Sequence, residues 1–154
     1  MADLMSKNLS LLSIPAVWLT VAFPVALKNI TLQNTKGFKF DNVQPRENAS
    51  RLASAENIPK DLPARIRRME GAHVNGNENL PLWIGAVLAG NLVGLEHATL
   101  NKVAIFYIVG RSLYNYVYIN HTTGPQSVLR TAIWWITFSG PMYLLIKAGL
   151  KAAS

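Results

Sequence analysis

The fold class this 154-residue sequence predicts is an all-α membrane protein, a bundle of four transmembrane helices. Three observations carry that expectation. Half of the residues are hydrophobic and 15% are charged, so the chain holds more apolar surface than one soluble core of this size can bury. The apolar residues gather into four segments, each near the roughly 20 residues that a spanning helix requires. The basic residues flank those segments and form no aromatic-interleaved stripe, so the net charge of +7 does not point to nucleic acid.

The first segment, 9–30, is interrupted by Pro15 and Pro24, which spanning helices tolerate where neighbours satisfy the freed backbone groups. Its apolar run outlasts the core of a signal peptide, and no small-residue cleavage site precedes a secreted domain, so it reads as a retained span. The second, 62–95, has an amphipathic head as far as Asn79 and an apolar body from Leu80, so its start projects beyond the bilayer. The third runs over 100–119 and the fourth over 128–150, where Gly140-Pro141 is placed to bend the helix. Residues 31–61 form the one long polar connection, read as a loop within a single membrane domain, 1–154. Ten of the fifteen Lys and Arg fall on the side of that loop, four on the other side (Lys7, Lys102, Lys147 and Lys151), and Arg111 lies within a span. The positive-inside rule therefore puts the loop in the cytoplasm and both termini across the membrane. The sequons at Asn29, Asn48 and Asn120 then carry no glycan.

Chemistry concentrates where polar residues enter the helices at one level. On span two, Asn75 and Glu78 lie three apart on one face, with His73 within two turns. On span three, Arg111, Tyr114 and Tyr118 are spaced three and four apart, and Asn115 sits beside them; Arg130 opens span four. Ionisable groups at such depth cost several kcal/mol unless paired, which makes them site candidates. An acid, an amide, two phenols and two guanidiniums suit a polar, anionic ligand whose greasy partner arrives from the bilayer, because Arg binds carboxylates bidentately and keeps its charge. Plainer roles compete: Arg111 and Glu78 as an interhelical pair, Arg130 as a snorkelling anchor, His73 as a hydrogen-bonding residue. Trp83, Trp134, Trp135 and Tyr116 read as aromatic belt, and Ala86, Gly90 and Gly94 as a helix-packing stripe. No cysteine is present, and His73, His97 and His121 have no metal-ligand spacing, so no metal is expected.

The run Ala72-His73-Val74-Asn75-Gly76-Asn77-Glu78-Asn79-Leu80-Pro81, followed by Gly110-Arg111-Ser112-Leu113-Tyr114-Asn115-Tyr116-Val117-Tyr118, resembles the MAPEG family, the membrane-associated proteins in eicosanoid and glutathione metabolism. The A-H-x-N-x-x-E element is the most specific part. Asp41-Asn42 and Pro45-Arg46 are similar to the bacterial and fungal branch, and the likeness covers nearly the whole chain. It implies a homotrimer of four-helix subunits with glutathione, as co-substrate, held between neighbours at the cytoplasmic face. On that pattern Asn75 and Glu78 hold the tripeptide, Glu78 taking its α-amine, while His73, Arg111, Tyr114 and Tyr118 complete the pocket. Arg130, assisted by Tyr118, stabilises the thiolate, since a cation near sulfur lowers a thiol pKa. The implied function is a microsomal-type glutathione transferase or peroxidase acting on a lipophilic electrophile or lipid hydroperoxide. Its partners are glutathione, a lipophilic small molecule and membrane lipid. The implied location is an integral, multi-pass place in the endoplasmic reticulum of a eukaryote or the inner membrane of a bacterium.

Two positions depart from the family pattern. Glutathione-using members usually carry arginine where Gly71 stands here, and often another where Glu70 stands. Loss of a charged hydrogen bond of about 1.5 to 3 kcal/mol weakens binding roughly ten- to a hundredfold. Arg67 and Arg68, about one turn earlier, are the residues placed to reach around. The departure keeps two other functions open. One is a glutathione-independent isomerase or cyclase of a lipophilic metabolite, with His73, Glu78 or Tyr114 as acid or base. The other is a non-catalytic membrane scaffold or lipid-binding regulator.

Overall fold

The computed structural model describes residues 6–56 and 58–154, and these form helices and turns without a strand. The helices are α1 (Ser13–Gln33), entered through a 3-10 turn at Ser10–Leu12, then α2 (Asn48–Ala53), α3 (Leu62–Leu92), α4 (His97–Asn120) and α5 (Gly124–Ala152). The central pair is α3 and α4, and α1 and α5 each pack against both of them. The boundaries differ from expectation at places with a local cause. Helix α3 stops at Leu92 because Gly94 takes φ +65°, and the Leu95 amide then donates back to the Gly90 carbonyl at 2.8 Å, a left-handed helix stop. Gly94 is thus a turn residue and not part of a packing stripe. Helix α5 starts at Gly124, not 128, because Thr123 and Gln126 form a capping box and Pro125 occupies the first turn. Arg130 consequently sits nearly two turns inside α5.

Proline organises the bundle's middle. Pro24 inside α1 has no N–H to give the Thr20 carbonyl, and the Asn115 side-chain amide of α4 donates to that oxygen at 2.7 Å. One residue on, the Val21 carbonyl receives His73 Nδ1 of α3 at 2.8 Å. Gly76 permits the close approach, since a Cβ there would lie 3.0 Å from a Val21 methyl. This polar layer separates two apolar clusters. One joins Val17, Trp83, Val87, Leu100, Tyr107 and Leu144; the other joins Leu32, Leu52, Ile66, Met69, Ala72 and Ile119. Trp83, expected in an aromatic belt, is fully buried and stacked on Tyr107 at 4.3 Å.

The connection 34–61 is more than a loop, for it carries α2 and buries Leu52 completely against Ile66, Met69 and Ile119. Asn48, also buried, bonds the Asp41 backbone on both sides. The Asp41 carboxylate accepts from the Val43 and Gln44 amides, and with Arg51 and Lys39 nearby its pKa falls below the usual aspartate value.

The four long helices run for 21, 31, 24 and 29 residues. By length and composition the first of them, with its lead-in turn (Ser10–Gln33), is apolar enough to cross a membrane, with a mean hydropathy of 1.9 over its most apolar window; among the described residues no other helix meets that measure. The polar head of α3 explains its shortfall. Large apolar side chains nevertheless point outward from all four: Trp18 and Phe23, Leu88 and Leu92, Ile105 and Val109, Trp135 and Ile136. A soluble monomer rarely exposes so many, so this surface belongs in lipid or against other subunits.

Candidate functional site

A cleft of about 490 Å³ opens between α3, α4 and α5. The size is in the range of small-molecule sites. Helix α3 contributes Gly71, Val74, Asn75 and Glu78, spaced at 0, 3, 4 and 7 so that they form one stripe. Helix α4 contributes Tyr114 and Tyr118, one turn apart, and α5 contributes Arg130, Thr131 and Trp134. The Arg130 guanidinium lies over the Tyr118 ring, 4.8 Å from its centroid, and its Nη1 is 3.4 Å from His121 Nε2. Tyr118 packs edge-on against Tyr114 and His121 at 5.5 and 5.7 Å. The cleft therefore holds one guanidinium and one carboxylate with phenols between them, which suits a zwitterionic ligand.

Arg111 stands behind this wall. It is 3% exposed, lies 4.7 Å over the Tyr114 ring, and donates to Asn75 Oδ1 at 3.0 Å. That bond orients the amide of Asn75, itself part of the cleft lining. Arg111 does not pair with Glu78; the ion pairs among the described residues are Lys28–Glu70 and Arg51–Asp41.

Of the residues singled out from sequence, Asn75, Glu78, Tyr114, Tyr118 and Arg130 come together in the cleft, and Arg111 touches it through Asn75. Two do not reach it. His73 is held between the Val21 carbonyl and the Asn77 side chain, and Arg68 Nε donates at 2.9 Å to the Ile119 carbonyl in the last turn of α4. Arg68 thus satisfies a helix-end carbonyl and does not reach around to replace a missing arginine. The departures at 70 and 71 have structural partners of their own. Glu70 bonds Lys28 of α1 at 2.8 Å, and a Cβ on Gly71 would fall 2.5 Å from the Tyr118 hydroxyl. Val74 and Thr131 escaped the sequence reading, and Trp134, read there as aromatic belt, lines the cleft instead. Val74 shares the Gly71–Glu78 stripe, and Thr131 and Trp134 follow Arg130 by one and four along α5. His121 escaped it too, since a lone histidine in a turn gives no signal.

Comparison with curated proteins and with solved structures returned no match. A family model does match, over residues 11–150, a span that covers α1 to α4, the structured connection and α5 up to its last two residues. With an all-α fold, an apolar outer surface and that match across nine-tenths of its length, the chain belongs to the MAPEG family of membrane-associated proteins.

Proposed function

We propose that the chain is a membrane-bound glutathione transferase or peroxidase whose four long helices all span the membrane. On this reading it works as a homotrimer, with glutathione held between neighbouring subunits at the cytoplasmic face, in the endoplasmic reticulum or a bacterial inner membrane. The supporting observation is the convergence of Asn75, Glu78, Tyr118 and Arg130, from three helices, on one cleft. Glu78 takes the α-amine of glutathione, and Asn75 Nδ2 donates to a neighbouring carboxylate or carbonyl. Arg130, beside the sulfur, favours thiolate over thiol and raises the concentration of nucleophile at neutral pH. The thiolate sulfur then attacks the electrophilic carbon of a lipophilic molecule arriving along the apolar outer face of α5, where Val128, Leu129, Trp135 and Ile136 are exposed. As the carbon–sulfur bond forms, a leaving group departs with its bonding electron pair or, at an activated alkene, the π bond breaks and the resulting carbanion takes a proton from water.

The test is the ultraviolet absorbance of bound glutathione thiolate on detergent-purified protein, together with conjugation of a lipophilic electrophile. Arg130→Ala is expected to abolish the thiolate signal and lower kcat/KM about a hundredfold, the usual loss when one charge-stabilising donor is removed. A wild type without thiolate or glutathione binding would refute the reading.

A second reading has its own observation. The Tyr118 hydroxyl fills the place of a side chain at 71 and Glu70 is committed to Lys28, so no arginine clamps a carboxylate from those positions. That favours a glutathione-independent isomerase or cyclase, which would turn over its lipid in glutathione-free buffer. A scaffold or lipid-binding regulator would retain its function after Arg130→Ala.

A further inference from the structure

Resting on the glutathione reading above, we infer that His121 is a positioning residue that holds Arg130 over the cleft as a hydrogen-bond acceptor. His121 is the first residue after α4, in the three-residue turn that leads to α5. Its Nδ1 lies 2.8 Å from the Tyr118 carbonyl oxygen. A carbonyl oxygen only accepts, so Nδ1 carries the proton. In the neutral ring Nε2 is then an acceptor, and what faces it at 3.4 Å is Arg130 Nη1, a group that only donates. One tautomer of the neutral ring satisfies both neighbours.

The same ring packs edge-on against Tyr118, whose face carries the Arg130 guanidinium. His121 and Tyr118 thus bracket the guanidinium on two sides, one by a lone pair and one by a π-face. Arginine has a long, rotamer-rich side chain, and Arg130 is only partly buried. Without the bracket it would be spread over several orientations and would spend less time beside a bound sulfur. His121 touches neither cleft nor ligand, so its effect passes through Arg130.

Two substitutions separate this role from a structural one. His121→Asn places an amide N–H near Nδ1 and keeps the bond to the Tyr118 carbonyl, but its side chain ends short of Arg130. His121→Gln can place an oxygen acceptor near the position of Nε2. Both are made in the full chain, purified in detergent, and read by glutathione thiolate absorbance against pH and by kcat and KM for glutathione with a lipophilic electrophile. His121→Asn is expected to lower kcat about tenfold, as befits one long hydrogen bond to a charged group, with KM changed by less than about twofold. Its thiolate midpoint should move to higher pH, in the direction of Arg130→Ala, whereas His121→Gln should stay within about threefold of wild type. Thiolate present in wild type, lost in Arg130→Ala and intact in His121→Asn would overturn the role of His121 alone. Equal losses in Asn and Gln, accompanied by a lower melting temperature, would also overturn it in favour of plain packing. Absence of thiolate from the wild type would overturn the glutathione reading and this inference together.

Discussion

Adding one methyl group at Gly71 isolates the geometry of the cleft from its chemistry. In Gly71→Ala the new Cβ would meet Tyr118 Oη at 2.5 Å, Cζ at 3.0 Å and Cε1 at 3.1 Å. Carbon contacts settle at about 3.5 Å or more, so the phenol has to move by about 1 Å. The backbone of α3 cannot yield without breaking its own hydrogen bonds, whereas Tyr118 is half-buried and borders the open cleft. Movement of the ring disturbs its contacts with Tyr114, His121 and Arg130, each worth about 0.5 to 1.5 kcal/mol. Against that, alanine in a helix interior is better than glycine by about 1 kcal/mol. Three contacts of that size outweigh the gain, so the melting temperature is expected to fall by a few degrees. On the proposed glutathione function activity has no such compensation, because a 1 Å misplacement of a group beside the reacting atoms costs up to about a hundredfold. Glutathione conjugation and thermal unfolding, measured on Gly71→Ala, Tyr118→Phe and the double variant, test this. Removing Oη relieves the 2.5 Å contact and leaves the ring carbons at 3.0 and 3.1 Å, so the methyl should cost less, though not nothing, in the Tyr118→Phe background. Wild-type turnover in Gly71→Ala, or strictly additive losses in the double variant, would refute the reasoning.

Three other perturbations follow from single contacts. Asn75→Ala leaves the buried Arg111 guanidinium without its oxygen acceptor and is expected to lower stability by about 1.5 to 3 kcal/mol, while Asn75→Asp holds it, as read by unfolding in mixed detergent. Lys28→Met strands Glu70, which is 35% exposed and so partly solvated; a loss of about 1 kcal/mol is expected, and Glu70→Gln in the same chain should recover it. Asp41 has a folded-state pKa below its unfolded value, so the order it gives the connection is present above about pH 4 and is lost as pH falls through the folded value. Amide chemical shifts of Val43 and Gln44 should report that acid transition in the wild type and should lack it in Asp41→Asn.

Much of the fold was legible because helix periodicity and apolar content are local properties. Four long helices lie where four apolar segments were drawn, and Asn75, Glu78, Tyr114 and Tyr118 share faces because spacing along one helix dictates it. Helix starts were less legible: the capping box at Thr123 and Gln126 moved the head of α5 forward by about one turn and left Arg130 nearly two turns inside it. The order within 34–61 was illegible for a different reason, since the cluster that buries Leu52 draws on Leu32 of α1, Ile66 and Met69 of α3 and Ile119 of α4, which are distant in sequence.

By itself the sequence determined the all-α class, the apolar outer surface, the family and the polar residue types that enter the helices, because each is written in composition, periodicity or a contiguous motif. Which of those residues meet was decided by the tertiary structure. The Thr20 carbonyl freed by Pro24 claims Asn115, the neighbouring Val21 carbonyl claims His73, a helix-end carbonyl claims Arg68, and the packing of α5 on α4 brings Arg130 to Tyr118 and His121. A polar side chain bonds the nearest group that must be satisfied, and that group is supplied by another segment of the chain, so its identity depends on packing.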